Sequence, residues 1–436
     1  MKKLSLIIVI ICTGLGSAMF AQDTLTIQQM INMTLENNFQ VKLSENAKSI
    51  AGNNNTVFNT NQLPVISMEG GGNYQLDYVN ANFQDGRSVT VNAAETERVN
   101  LSLNVGYTVF DGFFRKNNVK QLQQQYMLSE LQLQQTVQNV IAQALRQYFT
   151  VASLSKSKDI LINTLELSRE RVERTQSFFD YGQGSKLDYL NAKVDFNNDS
   201  LSLINAEMQL ENAKRVLNML MARGENIDYF PETDIGFFED LDKSYLKGRM
   251  YELNAELALI DKNIEIGSIQ VDLAKSQRLP SLDLNASYGI NASNNNSASF
   301  LASQRTHGLL VGLTARWNIF DGGVTRTAIE NARLNKLNLE IQKDQLYNQL
   351  ELDFENAWAN YMNAKAVFEA ESNNAEIVKE NFDRTAERFN SGQLNSLDFR
   401  QAQLNYINAL NSMNIARYDV KITEVELLLL SGTIIK

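Results

Sequence analysis

The chain has 436 residues and a formal charge of −10, with only 21% charged residues, so its polarity comes mainly from amides and hydroxyls. That balance speaks against a nucleic-acid partner, because phosphate binding needs clustered Lys and Arg. Three prolines are far below the usual share of about 5% and favour long uninterrupted helices. A single cysteine excludes a disulfide scaffold.

Residues 1–21 read as a signal peptide. Lys2 and Lys3 form the basic start, Leu4 to Leu15 the apolar core, and Ser17 to Ala21 the small-residue cleavage zone. Cys12 lies inside that core, behind Ile10 and Ile11, so it does not look like a lipidation site. An exported chain without it has no thiolate for metal binding or nucleophilic catalysis.

The first repeat is expected over 22–221. A helix runs over 24–60 and stops at Leu63-Pro64, where proline turns the chain extended. Strict alternation then predicts a strand over 64–78, with Ile66, Met68, Tyr74, Leu76 and Tyr78 on one face and Ser67, Glu69, Asn73, Gln75 and Asp77 on the other. A polar stretch, 79–98, carries the turn signal Asp85-Gly86. A second strand over 98–110 puts Val99, Leu101, Leu103, Val105, Tyr107 and Val109 on one side. From 113 to 180 there is neither proline nor glycine, and a helix of that length is about 100 Å long. Tyr181-Gly182-Gln183-Gly184 breaks it before a return helix to 221. Residues 222–246, with Pro231, read as an irregular insert.

The second repeat, 247–436, follows the same plan: a helix over 247–277, Leu279-Pro280, strands over 280–291 and 308–320, a long helix over 323–390, a tip at Ser391-Gly392 and a return helix. Phe110-Asp111-Gly112 recurs as Phe320-Asp321-Gly322, an offset of 210 residues that Gly182 and Gly392, Asp188 and Asp398, and Leu217 and Leu427 also keep. A gap-free offset over such a span marks a tandem duplication.

The strands allow two readings. They pack face to face in a soluble sandwich, or they lie in a membrane with Tyr74, Tyr78, Tyr107, Tyr288 and Trp317 as an aromatic girdle. Four strands close no barrel, and an open sheet in lipid leaves its edges unpaired, so in the membrane reading several chains share one barrel.

The doubled order of helix, Leu-Pro, strand, loop, strand, Phe-Asp-Gly, long helix, glycine tip, Leu-Asp and return helix resembles the TolC family of outer membrane efflux proteins. The resemblance implies an α+β membrane protein built from two tandem repeats. Its long α-helical coiled-coil barrel would be continued by a transmembrane β-barrel shared by a homotrimer, four strands per chain. It implies an exit duct of a tripartite efflux pump or type I secretion system. The partners would be a periplasmic adaptor, through it an inner-membrane pump, and outer membrane lipid. Loops 79–98 and 291–307 would be extracellular, with His307, the only histidine, in the second.

The resemblance also assigns candidate site residues. The adaptor-docking tip would comprise Gly182, Gly184, Leu187, Ser391, Gly392 and Leu397. The periplasmic gate would comprise Asp188, Asp398, Phe389 and Leu394. The strand–helix junctions would be Phe110, Asp111, Gly112, Phe320, Asp321 and Gly322. Six carboxylates in a trimer would favour cations. Ser185-Lys186-Leu187-Asp188 and Asn395-Ser396-Leu397-Asp398 equally fit helix caps, with an acid in the first turn. Some family members close the tip with a Tyr and an Arg where this chain has Phe389 and Leu394, so a polar lock there is not expected. No nucleophile elbow, phosphate loop or zinc motif is present, and neither enzyme activity nor a cofactor is expected. The alternative function is an exported structural or adhesive coiled-coil protein.

Overall fold

The computed structural model describes residues 24–237 and 241–435; the expected signal peptide, with Cys12, lies outside the described residues. In chain order the elements begin with β1 (Thr24–Leu25), α1 (Ile27–Asn37) and α2 (Phe39–Asn54). Strands β2 (Val65–Asn82) and β3 (Ser88–Asp111) follow, then α3 (Phe114–Asp180), α4 (Lys186–Leu220) and β4 (Phe230–Pro231). The rest is α5 (Lys243–Leu253), α6 (Ala255–Ser276), β5 (Ser281–Asn294), β6 (Ser303–Arg316), α7 (Val324–Asn390) and α8 (Ser396–Leu430). Both ends of α3 and α4 recur in α7 and α8 at the 210-residue offset.

The chain forms two compact units. One comprises residues up to Phe39, Asn139–Asp242 and Ala357–Leu429; the other comprises Gln40–Gln138, Lys243–Asn356 and the chain from Leu430 on.

In the first unit, β1 pairs parallel with β4, and Thr26 and Gln29 form a capping box at the start of α1. The fully buried Tyr148 on α3 ties these pieces together. Its hydroxyl donates to the Leu25 carbonyl at 2.6 Å and accepts from the Glu232 N–H at 2.9 Å. Burial pushes the phenol up to about 12, so its donor proton stays in place well into the alkaline range. Tyr148→Phe removes both hydroxyl bonds and leaves the Glu232 N–H and the Leu25 carbonyl only their long contact with each other, at 3.4 Å. It is expected to cost about 1–3 kcal/mol, read as a lower melting temperature of the detergent-solubilised protein.

Two expected helices are each broken in two, and asparagine is the reason both times. The helix expected over 24–60 ends its first part at Asn38, which caps α1 and whose Nδ2 donates to the Leu220 carbonyl at 2.8 Å. The helix expected over 247–277 is split at Asn254. Its Oδ1 accepts from the Glu256 and Leu257 N–H groups, and its Nδ2 donates to the Leu430 carbonyl at 3.1 Å. Leu220 and Leu430 end the two return helices, so each duplicated unit uses an asparagine to satisfy an orphan carbonyl there.

In the second unit, β2, β3, β5 and β6 form one antiparallel sheet in that order. Cross-strand register puts Met68, Leu103, Tyr288 and Leu309 in one row, with Ile66, Val105, Ala286 and Val311 in the next on that face. The other face carries rows such as Gly71, Asn100, Asn291 and Thr306. Large apolar side chains of the first face are exposed along all four strands, Met68, Leu103, Tyr288 and Leu309 among them. From Val99 to Val109 the apolar row runs about 33 Å along β3. At a tilt of about 40° that covers about 25 Å, the height of an outer membrane apolar band. No helix among the described residues is long and apolar enough to cross a membrane.

The loops are shorter than expected. Residues 79–98 continue the ladder as Val79↔Val91, Asn80↔Thr90, Ala81↔Val89 and Asn82↔Ser88, past a bulge at Asp77/Val79, and only the turn over 83–87 is free. The expected loop 291–307 shrinks to 295–302, because Asn294 pairs with Ser303. In the second extension polar residues dominate both faces, so period-two patterning, which reports one buried face, is silent there. In the first, Val79, Ala81, Val89 and Val91 still share one face, but the bulge at Asp77/Val79 interrupts the alternation. His307 therefore lies in β6 opposite Ile290, not in a loop. β6 also ends at Arg316 rather than 320, and the Trp317 indole beyond it donates to the Arg278 carbonyl at 3.0 Å.

Candidate functional site

Both tips fold on the same backbone logic. Gly182 and Gly392 take φ of 71° and 74°, left-handed values that glycine adopts at low cost. Their N–H groups bond to the carbonyls of Phe179 and Phe389, and those of Gln183 and Gln393 bond to Phe178 and Arg388. Gly184 is fixed by space: a Cβ there would meet the Cβ of Phe178 at 2.9 Å. Its duplicate, Leu394, instead packs beside a cluster of Phe382, Phe389, Phe399 and Ala402. The ring of Phe389 stacks on Phe399 at 4.5 Å. The structure thus places Phe389 and Leu394 in the packing of one hairpin. Leu187 and Leu397 stand out beside the tips, 65% and 75% exposed, with Tyr181 at 82%.

The two aspartates sit in the first turns of α4 and α8. The Asp188 N–H donates to Ser185 Oγ at 3.1 Å, and that hydroxyl donates to Asp188 Oδ2 at 2.8 Å. The Asp398 N–H donates to Asn395 Oδ1 at 2.8 Å, and Asn395 Nδ2 donates to Asp398 Oδ2 at 2.9 Å. Both carboxylates are therefore engaged in their own helix caps.

A set of polar side chains that the sequence did not single out joins the two hairpins. Arg174 on α3 reaches the end of α7, donating to Asn390 Oδ1 at 2.9 Å, to the Phe389 carbonyl at 3.2 Å and to the Asn390 carbonyl. Its guanidinium lies over the rings of Phe178 and Phe389, at 5.2 and 5.1 Å. The expectation that no polar lock forms at Phe389 is corrected in this respect: the arginine comes from the first repeat. Deeper in, the buried Arg400 on α8 forks onto Asp199 of α4 with two bonds of 2.8 Å. Ser168 donates to Asp199 and accepts from Gln403 at 3.2 Å. Arg171 pairs with Asp195, and burial pushes its guanidinium below its ordinary value despite that partner. One signal was available: Ala192, Asp199, Ala206 and Ala213 recur every seven residues and are all buried. An acid in an alanine stripe needs a buried cation.

At the strand–helix junctions Asp111 Oδ2 accepts from the Arg115 N–H at 3.0 Å, and Asp321 Oδ2 accepts from the Thr325 N–H at 2.9 Å. Gly112 is required twice over, by a φ of 65° and because a Cβ would strike the Ser276 carbonyl at 2.4 Å. Phe110 meets Phe113 edge-on at 5.4 Å, whereas Phe320 is almost fully exposed.

Residues 30–223 and 250–433, one segment per repeat, match the family described as outer membrane efflux protein. The chain belongs to that family. Over 358 residues, 80% of this chain and 75% of the relative, it is 20% identical to the outer membrane efflux protein BepC of Brucella suis biovar 1. The Campylobacter jejuni CmeC outer membrane channel shares the fold, with a TM-score of 0.78 at 16% identity over 94% of this chain and 86% of that one. The outer-membrane channel OprN gives 0.74 at 17% over 93% and 89%. The open state of the Neisseria gonorrhoeae MtrE channel gives 0.72 at 16% over 94% and 89%. This outer membrane efflux protein is therefore an outer membrane protein with its helical part in the periplasm. That placement makes the uncovered apolar face of the sheet its lipid face.

Proposed function

We propose that the protein is the exit duct of a tripartite efflux pump or type I secretion system, passing small molecules or polypeptide passively outward. The observation that carries this is the sheet, which is apolar on one face, polar on the other, and unpaired at the outer edges of β2 and β6. Three copies joined edge to edge make one twelve-stranded barrel with a polar lumen, which removes every edge from lipid.

The helices support the same homotrimer independently. On α8, Arg400, Ile407 and Asn414 are buried, and Asn414 Nδ2 donates to the Ser153 carbonyl and Ser157 Oγ of α3. The duplicated positions on α4 are Leu190, Asn197 and Ile204, and all three are exposed. With Leu187, Val194, Leu201 and Met208 they form a stripe at alternating spacings of three and four, the seam of a coiled helix. The α3 positions that receive α8 recur on α7 as Asn363, Val367 and Asn374, likewise exposed. Copying the packing inside the chain onto the next chain puts α4 of one protomer on α7 of its neighbour, and such a head-to-tail contact closes into a ring.

The tips are then the periplasmic mouth. Tyr181, Leu187 and Leu397 offer apolar contacts to a periplasmic adaptor around Gly182, Gly184, Ser391 and Gly392, and Asp188 and Asp398 carry negative charge to the opening while capping their helices. The Phe389–Leu394 packing and the Arg174 clamp hold each hairpin pair shut until the adaptor and the inner-membrane pump engage.

Single-channel conductance in planar bilayers tests this, with wild type beside Asp188→Ala/Asp398→Ala. Wild type is expected to open with a preference for cations that the double variant loses. Channels with unchanged selectivity would reduce both aspartates to caps. A wild type that never conducts, even with the tips loosened, would overturn the duct.

A further inference from the structure

Phe113 sits where the backbone asks for glycine. Its φ is 69°, directly after Gly112 at 65°. The second repeat makes the same turn with Gly322 and Gly323, at 68° and 91°. A bulky residue in the left-handed region is strained, and burial does not compensate for it: Phe113 is 54% exposed. Within the fold the ring has an edge contact with Phe110 and otherwise stays largely exposed.

Around it lies a cavity of about 560 Å³, lined on the sheet side by Tyr107, Val109 and Phe110 and on the helix side by Arg115, Lys116 and Lys120. Tyr107 and Val109 end the apolar row of β3, so the cavity opens where the lipid face stops and the periplasmic helix begins. Arg115 is fixed there by Asp111, by the Asn61 carbonyl at 3.1 Å and by the Tyr107 ring at 5.5 Å. Lys116 reaches over the Phe113 ring at 6.0 Å. Neither Lys116 nor Lys120 forms a salt bridge among the described residues, and both are exposed. The duplicated junction keeps a cation, Arg326, for Lys116 but has Gly323 for Phe113, Thr325 for Arg115 and Glu330 for Lys120, and Glu330 pairs with Arg333. One junction per chain carries this group of cations on an aromatic platform, inside a protein that is acidic overall.

We propose that the cavity seats the head group of an anionic phospholipid of the periplasmic leaflet. Lys116 and Lys120 meet the phosphate, Arg115, its charge offset by Asp111, adds guanidinium N–H donors, and Phe113, Phe110 and Tyr107 carry the glycerol and first methylenes. Charge complementarity and continuity with the apolar face favour a tethered phosphate over a free one. The proposal needs the sheet to lie in the membrane but does not need the chain to conduct.

The test is native mass spectrometry of the full-length protein in detergent, titrated with phosphatidylglycerol, phosphatidylethanolamine or inorganic phosphate. Wild type is expected to retain one phosphatidylglycerol per chain. Lys116→Gln/Lys120→Gln should weaken retention about thirtyfold, the sum of two cation–head-group contacts. Phe113→Gly, which copies the other junction, should also lose the lipid while melting at or above wild type in lipid-free detergent, because strain is relieved. Equal retention by the variants would overturn the site. Equal binding of inorganic phosphate would overturn the lipid assignment. A lower lipid-free melting temperature for Phe113→Gly would make the ring a structural element and sink the platform.

Discussion

Asp199→Ala is expected to destabilise the protein by about 3–5 kcal/mol, because it strands the buried Arg400 guanidinium without its fork partner. The readout is a melting temperature lowered by several degrees in detergent, with more frequent spontaneous channel openings, since the pair joins α4 to α8. Arg400→Leu alone should behave similarly by stranding Asp199. The informative variant is the double one. The duplicated positions already carry Leu190 and Ala409, so Asp199→Ala/Arg400→Leu rewrites one interface in the residues of the other. It should recover most of the loss in stability, because a buried ion pair is worth little against well-packed apolar replacements while a broken pair is costly. If the single variant melts with wild type, the network contributes nothing. If the double variant is as unstable as the singles, the contribution lies in Ser168 and Gln403 rather than in charge compensation. The network is already imperfect, since Nε and Nη1 of Arg171 find no acceptor.

The duplication was legible because it is written in punctuation. Gly182 and Gly392 hold positive φ, and Asp111 and Asp321 cap long helices, so these residue types are tied to backbone geometry and survive divergence around them. The sheet was legible wherever one face meets lipid, as in the row from Val99 to Val109. It was not legible from 79 to 98, where the apolar rows Val79–Val91 and Ala81–Val89 are short and a bulge at Asp77/Val79 breaks the alternation. The tertiary part of the Asn38 and Asn254 breaks was unreadable for another reason: each side-chain amide also bonds a distant carbonyl, at Leu220 and Leu430.

The candidate site was legible only in part. The tips and the Ser185–Asp188 and Asn395–Asp398 caps follow from local sequence. Arg174, Arg171 and Arg400 do not, because each reaches a partner on another helix, and sequence spacing carries no information about which helix lies opposite. Phe389 illustrates the limit. Its position at a tip reads as a gate, and only the structure reveals Phe399 stacked beneath it.

Ile204→Glu is expected to abolish the oligomer and with it all conductance, while each chain keeps its helix content. Ile204 is 59% exposed, within the α4 stripe between Leu201 and Met208. In a closed ring it is covered once per protomer, so one substitution damages three equivalent contacts. Each loses about 1.5–3 kcal/mol of side-chain burial and adds an unpaired carboxylate to a dry seam, a further few kcal/mol. Gln209→Glu, outside the stripe on the same helix, adds the same charge and should assemble normally. Light scattering in detergent reads the mass, circular dichroism the helices and planar bilayers the channel. The duplicate position shows why the effect should fall on assembly and not on folding. There, Asn414 is buried and bonded to Ser153 and Ser157 within the chain, whereas Ile204 is exposed. A trimer that survives Ile204→Glu with normal conductance would mean that α4 faces something other than a second copy. Loss of helix content would mean instead that Ile204 serves its own chain. Only loss of assembly with the fold intact fits a ring closed through α4 and α7.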